Sequence, residues 1–117
     1  MLESAVSQAI IQWINTLPNA RACKNAASMM SGSGEPDILA VIYNHHTGYA
    51  MPVFIETKRP GERPRVIQKY CLDRWRDTGA VAIVAVSLLD AKKQLAHPCG
   101  LTVESSKTPI TPRKAPV

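Results

Sequence analysis

The sequence has few cysteines and no pattern that would pair them. Only Cys23, Cys71 and Cys99 occur, and they form neither a CxxC motif nor a Cys and His set with the spacing of zinc ligands. Neither a disulfide framework nor a zinc knuckle is therefore expected. A reducing cytoplasm is the compartment that this cysteine usage favours.

Long apolar runs are also missing. No stretch approaches the roughly 20 apolar residues that a membrane-spanning helix requires. The polar residues that follow Met1 leave no apolar core for a signal peptide, and no internal repeat is visible. We expect one soluble domain, which is what a chain of 117 residues is long enough to build.

The composition is that of a folded domain with an excess of basic residues. Hydrophobic residues make up 45% and charged residues 20%, as in ordinary globular proteins. Lys and Arg number 14 against nine Asp and Glu, for a net charge of +5. This balance favours an anionic partner, with nucleic acid as the leading candidate. Because many small soluble proteins are mildly basic without binding DNA, charge alone does not decide the question.

The C-terminal end departs from this composition. From Ser105 onward the chain has three prolines and three basic residues but no acidic residue, a composition that cannot bury a core. We expect residues 1–104 to form the domain and residues 105–117 to form a basic, proline-rich flexible tail. A short strand at 101–103 would be the last element of the domain.

Apolar spacing predicts three helices. Residues 3–17 carry an amphipathic pattern, and residues 65–77 carry a second one that ends at Gly79. A third helix is predicted at 88–96, with Ser87 as its N-cap.

Three other segments have the composition of strands. The apolar runs 37–43 and 50–58, joined by the turn sequence NHHTG, predict an antiparallel hairpin with Pro52 at its edge or at a bulge. The continuous apolar run 80–86 predicts a strand covered on both faces. Residues 19–36 show little periodicity and end in SGSGEP, a Gly- and Ser-rich loop, so no helix or strand is predicted there. The resulting order, α, β, β, α, β, α, describes an α/β domain with a small mixed sheet flanked by helices.

Charged residues lie at matching ends of the predicted hairpin. Asp37 begins the first strand, and Glu56 and Lys58 end the second. Asp37 and Glu56 meet if the register is even, since the start of one strand lies beside the end of its antiparallel partner. Glu56 and Lys58 project from the same face, about 6 to 7 Å apart, because side chains alternate along a strand. Two converging carboxylates favour a bound Mg²⁺, with Glu3 at its helix start as a possible outer ligand.

This constellation meets the demands of phosphodiester hydrolysis. A metal ion lowers the pKa of an attacking water and shields the phosphate charge, and a nearby lysine adds fixed positive charge. The alternative is that Glu56 and Lys58 merely lie on a solvated edge strand, where charges prevent aggregation. His45 and His46 are expected to be exposed in the hairpin turn without binding metal.

Two short motifs resemble a known nuclease family. GEPDI at 34–38 and IETK at 55–58 match the PD-(D/E)xK nuclease signature. Gln68, together with the segment QKYCLDRWRDTGAVAIVAV that it opens, resembles the virus-type replication-repair nuclease (VRR-NUC) branch of that superfamily. The resemblance extends from residue 3 to about residue 90. It implies a restriction-endonuclease-like αβββαβ core and a Mg²⁺-dependent DNA endonuclease, with Mn²⁺ as a possible substitute.

The resemblance also implies roles for individual residues. The lysine would be the catalytic lysine, and the glutamine would position it or the substrate. The implied catalytic residues are Asp37, Glu56, Lys58 and Gln68. The implied metal ligands are Glu3, Asp37, Glu56 and the backbone carbonyl of Thr57.

Basic residues directly beyond the predicted site are suited to bind phosphates that flank the cleaved bond. Phosphate contacts carry no base information, so DNA structure rather than sequence should be recognised. The resemblance implies a homodimer that cuts branched DNA, such as flaps or Holliday junctions, in repair, recombination or phage replication. It also implies that the protein acts in a bacterial or phage-infected cell. The open alternatives are a non-catalytic DNA-binding module and a protein-interaction domain whose tail docks a partner. The predicted DNA-binding residues are Arg59, Arg63, Arg65 and Lys69.

Overall fold

The structure is a computed structural model that describes residues 2–101. The predicted tail at 105–117, and most of the predicted strand at 101–103, lie outside the described residues. Within them, no helix is long and apolar enough to cross a membrane, and the three cysteines are free. The elements are α1 (Glu3–Thr16), β1 (Ala20–Lys24), a 3-10 turn (Ala26–Met29), β2 (Ile38–Asn44), β3 (Tyr49–Thr57), α2 (Val66–Asp77), β4 (Val81–Ala85) and α3 (Leu88–Ala96).

The three helices form within one or two residues of the predicted bounds. In α1, the residues at helical spacing form one buried stripe that includes Ile10 and Ile14. Helix α2 is followed by Gly79, whose φ of +93° lies in the left-handed region that favours glycine. At the start of α3, the Ser87 hydroxyl accepts a hydrogen bond from the Asp90 N–H at 3.0 Å, as an N-cap serine does.

The sheet has the strand order β1-β2-β3-β4, with β4 parallel to β3 and the other pairs antiparallel. The predicted hairpin is confirmed as β2 and β3. Strand β4 pairs with Val53–Thr57, so among residues 2–101 the first half of β3 has a neighbouring strand on one side alone. Pro52, opposite Val41 of β2, lies in this section, and such edge positions tolerate a residue without a backbone donor.

The predicted element order omitted β1, which lies within residues 19–36. This strand has only one buried residue, Ala22, so its own sequence carries no strand periodicity. The strand forms because it pairs with β2 and because the Asn15 side chain binds its backbone. The Asn15 amide accepts a hydrogen bond from the Ala22 N–H at 2.8 Å and donates one to the Ala22 carbonyl at 3.0 Å. With β1 included, the element order contains the αβββαβ core that the resemblance implies.

Two hydrophobic clusters lie on opposite faces of the sheet. On one face, α1 and α3 cover the larger cluster, which includes Val53 and Ile55 of β3. On the other face, α2 packs its Leu72 and Trp75 against Phe54 of β3. The run 80–86 supplies β4, and β4 contributes to both clusters, which confirms the prediction of a strand covered on both faces. Alternation along β3 therefore directs Glu56 towards the α2 face, like Phe54.

Candidate active site

The paired ends of β2 and β3 bring two carboxylates together. Ile38 is paired with Ile55, and the same register places Asp37, the residue before β2, opposite Glu56. The negative charge of Asp37 contributes to a raised pKa of Glu56, which is a consequence of their proximity. The register of the hairpin, which the sequence left open, therefore brings Asp37 and Glu56 together.

Glu56 is buried, with only 2% of its surface exposed. Its Oε2 accepts a hydrogen bond from Gln68 Nε2 at 3.0 Å and lies 3.8 Å from the Lys58 Nζ. Among the described residues, none donates a hydrogen bond to its Oε1, although this atom is buried. Burial, followed by the charge of Asp37, raises the pKa of Glu56 to about 7, against the opposing effect of the Lys58 charge.

Gln68 links this carboxylate to the first turn of α2. Its Oε1 accepts a hydrogen bond from the Arg65 backbone N–H at 2.9 Å, which satisfies one of the free donors at the helix start. Since the amide oxygen is used there, the amide nitrogen is directed at Glu56. Sequence reasoning assigned Gln68 to positioning the lysine or the substrate; its contact in the structure is with Glu56.

Asp37 is held by the residue that follows Glu56. Its Oδ2 accepts from the Thr57 N–H at 3.0 Å and from the Thr57 hydroxyl at 2.7 Å. The Ser7 hydroxyl lies 2.8 Å from the Thr57 Oγ1 and donates to it, because the single Thr57 hydroxyl proton goes to Asp37. Sequence reasoning missed this use of the Ser7 and Thr57 hydroxyls. The one available signal was that Ser7 follows Glu3 by one helical turn.

Glu3 lies at the start of α1 and is partly buried. Its charge adds a minor contribution to the raised pKa of Glu56. Over residues 2–101, however, no three His, Cys, Asp or Glu side chains lie close enough together to hold a metal ion. Glu3 is thus near the paired carboxylates without forming a three-carboxylate cluster with them.

The donor set fits a hard divalent cation. The described residues provide no hydrogen-bond donor for Oε1 of Glu56 or for Oδ1 of Asp37, so each carboxylate keeps one oxygen available. Mg²⁺ binds through one or two carboxylates and keeps several of its waters, so two such oxygens are a sufficient protein contribution. The backbone carbonyl of Thr57 belongs to the residue that follows Glu56 in sequence and that donates two hydrogen bonds to Asp37.

The predicted phosphate-binding residues lie in the segment before α2 and in its first turn. All four are exposed, and Arg59 forms a surface ion pair with Glu62 at 3.8 Å. The histidines of the hairpin turn lie at the other end of β2 and β3 from Asp37 and Glu56. His46 is exposed, whereas His45 is partly buried with its ring edge-to-face with Tyr43. The four exposed residues are Arg59, Arg63, Arg65 and Lys69.

Comparison with known proteins identifies the fold. No protein-family model matches the chain, and no curated protein matches it in sequence. Among solved structures, one described as a VRR_NUC domain is similar to the chain with a TM-score of 0.64 and 24% identity, over 81% of this chain and 95% of the other. A second, described as a VRR_NUC domain protein, has a TM-score of 0.59 and 20% identity, over 78% and 82% of the two chains. The chain therefore has the fold of VRR_NUC domains, as the sequence resemblance predicted.

Proposed function

We propose that the chain is a nuclease of the VRR-NUC type, which uses a divalent metal ion to hydrolyse phosphodiester bonds in DNA. The observation that carries the proposal is the buried carboxylate of Glu56, which has one oxygen held by Gln68 and Lys58 and the other without a donor. Leaving a buried polar atom unpaired lowers stability. Buried groups with a perturbed pKa concentrate at functional sites, because burial and neighbouring charges there adjust the pKa to the task of the site.

Asp37 and Glu56 are the residues that would hold Mg²⁺ or Mn²⁺. The carbonyl of Thr57 would complete the protein ligands, and Glu3 would act at a distance through water. A bound divalent ion would supply an acidified water and neutralise charge on the phosphate.

The other residues of the site prepare it for this ion and for the substrate. Gln68 and the Ser7–Thr57 pair each hold one oxygen of a carboxylate, which leaves the second oxygens of Glu56 and Asp37 oriented before the ligand binds. Lys58 is largely buried, so water screens its charge less than on the surface. It would stabilise negative charge as it develops on the phosphate oxygens.

The substrate that we propose is branched DNA, such as flaps or Holliday junctions, bound by a homodimer. The exposed residues Arg59, Arg63, Arg65 and Lys69 would bind phosphates on either side of the cleaved bond. Such contacts position the DNA without distinguishing its bases. Because added salt competes for these phosphate contacts, the affinity for DNA should fall steeply as the salt concentration rises.

The test is a cleavage panel of linear, flapped and four-way DNA with Mg²⁺, Mn²⁺ or EDTA. We expect products only with a divalent ion, and none from Glu56→Ala or Lys58→Ala, although both should still bind DNA. Lys93→Ala is the matched control, because Lys93 is an exposed lysine of α3 outside the site. Cleavage by either site variant at the wild-type rate would contradict the proposal.

A non-catalytic DNA-binding module is the second candidate function. It is favoured by the exposed basic residues near the start of α2, which are sufficient to bind phosphates without any metal ion. Such a module would bind the same DNA panel in a salt-dependent way and give no product with any divalent ion.

A further inference from the structure

A separate cavity lies on α2, on the side that faces the segment before Asp37. Its volume is about 280 Å³. None of its lining residues belongs to the candidate active site, yet Glu35 is only two residues from Asp37, a span of at most about 7 Å of chain. The lining residues are Glu35, Tyr70, Cys71, Arg74, Trp75 and Thr78.

The cavity holds a carboxylate with one oxygen available to a ligand. Glu35 Oε1 accepts a hydrogen bond from the Trp75 indole N–H at 2.9 Å. No donor within the described part of the chain reaches Oε2. The segment carrying Glu35 is itself held against α2, since the Cys71 thiol donates to the Ser33 carbonyl at 3.5 Å. The free oxygen of Glu35 is therefore an acceptor in a defined position.

Three flat side chains contribute to the other walls of the cavity. The Trp75 ring is stacked on Phe54, with 4.1 Å between the ring centroids and 14° between the planes, so its position is fixed by the core. Tyr70 is 54% exposed. The guanidinium of Arg74 lies 5.7 Å from the Tyr70 ring centroid and donates to its hydroxyl at 2.9 Å. Aromatic and guanidinium planes are the surfaces on which nucleobases stack.

We propose that this cavity binds one unpaired nucleobase of the DNA, and that Glu35 selects a base with an exocyclic amino group. The proposal deepens the proposed function, from which it takes DNA as the partner. A carboxylate accepts a hydrogen bond from the amino group of cytosine, whereas the corresponding O4 of thymine is another acceptor and would face Glu35 unpaired. Stacking on Tyr70 supplies affinity, and the free oxygen of Glu35 supplies the choice of base.

The first experiment locates the bound nucleotide. Affinity is measured by fluorescence anisotropy in metal-free buffer, with flapped DNA in which unpaired nucleotides near the branch are made abasic one at a time. We expect one position at which the abasic substitution weakens binding by about 5- to 150-fold, the range for loss of one base stack. In Tyr70→Ala, the intact and abasic DNAs should bind nearly equally.

The second experiment places cytosine or thymine at that position. The wild-type protein should prefer cytosine by about 5- to 150-fold. Glu35→Gln should reverse the preference, because the Trp75 N–H holds the amide oxygen and leaves the amide nitrogen to donate to thymine O4. Asp73→Asn removes the same charge from an exposed position of α2 outside the cavity and should keep the cytosine preference.

Two outcomes would overturn the proposal. One is that, at every unpaired position, the abasic substitution lowers the affinity of the wild-type protein no more than that of Tyr70→Ala. The other is that Glu35→Gln retains the cytosine preference of the wild-type protein. Binding is measured without metal, so the two proposals can fail separately. A base preference in a protein that never cleaves DNA would refute the proposed nuclease activity but not the base site. Cleavage without any base preference would refute the base site but not the nuclease activity.

Discussion

Replacing Gly34 by alanine tests whether the motif before Asp37 needs close contact with α2. A methyl group on Gly34 would lie 2.7 Å from Ile67 Cγ1 and 2.9 Å from both the carbonyl carbon and oxygen of Ile67, so backbone would have to move. Gly34 also has a φ of +70°. Gly32 has nearly the same φ, +72°, but a methyl group there would meet nothing within 4 Å. The two glycines therefore separate the effect of the backbone conformation from that of the close contact.

The expected magnitudes follow from these two effects. The left-handed conformation costs a non-glycine residue about 1 to 2 kcal/mol, and this applies equally to Gly32→Ala and Gly34→Ala. Overpacking against Ile67 adds about 1 to 3 kcal/mol in Gly34→Ala alone. For a domain near 100 residues, each kcal/mol lowers the melting temperature by about 4 to 8 °C. Gly34→Ala should melt clearly below Gly32→Ala.

Thermal unfolding followed by circular dichroism measures the difference, and the cleavage assay measures its consequence for the site. Ile67 precedes Gln68, whose amide nitrogen donates to Glu56, so a shift of the first turn of α2 should reduce cleavage in Gly34→Ala. Gly32→Ala should cleave DNA like the wild-type protein at temperatures where both are folded. Equal melting temperatures and equal cleavage by the two variants would refute the reasoning.

Three further predictions concern individual side chains. The first compares the wild-type protein with Glu56→Gln by urea denaturation in metal-free buffer. As the pH rises from 4.5 to 7, the unfolding free energy of the wild-type protein should fall by about 3 kcal/mol more than that of Glu56→Gln. The sign follows because the pKa of Glu56 is raised in the folded state, which therefore holds a proton that the unfolded state releases. Gln68→Ala should lower the unfolding free energy by about 1 to 3 kcal/mol, because it leaves the Arg65 N–H and Glu56 Oε2 without this partner. Iodoacetamide should modify Cys23 in the native protein and Cys99 only after denaturation, as detected by mass spectrometry, because Cys99 is buried and burial raises its pKa to about 11.

Each of these has an outcome that would contradict it. Parallel pH profiles for the wild-type protein and Glu56→Gln would mean that the pKa of Glu56 is not raised by its surroundings. A Gln68→Ala protein as stable as the wild type would mean that the amide's two hydrogen bonds add nothing to folding. Native modification of Cys99 at the rate of Cys23 would mean that the packing around α3 opens readily.

Local patterns in the sequence were sufficient to predict α1, α2, α3 and the β2–β3 hairpin. Helical spacing of apolar residues, a capping serine and turn residues act over a few neighbouring positions, so they can be read without a partner segment. Alternation along β3 likewise placed Glu56 and Lys58 on one face. Strand β1 could not be predicted in this way, because its pairing with β2 and its contact with Asn15 come from elsewhere in the chain.

Residue identity and order along the chain determined which side chains could take part in the site. Only tertiary structure decided their relations: the register that sets Asp37 opposite Glu56, the amide of Gln68 between α2 and β3, and the Ser7 hydroxyl that supports Thr57 from α1. The free oxygens of the two carboxylates and the cavity beside Glu35 also arise at that level. The physical reason is that burial and hydrogen bonding between residues distant in sequence depend on how helices and sheet pack, which no local periodicity specifies.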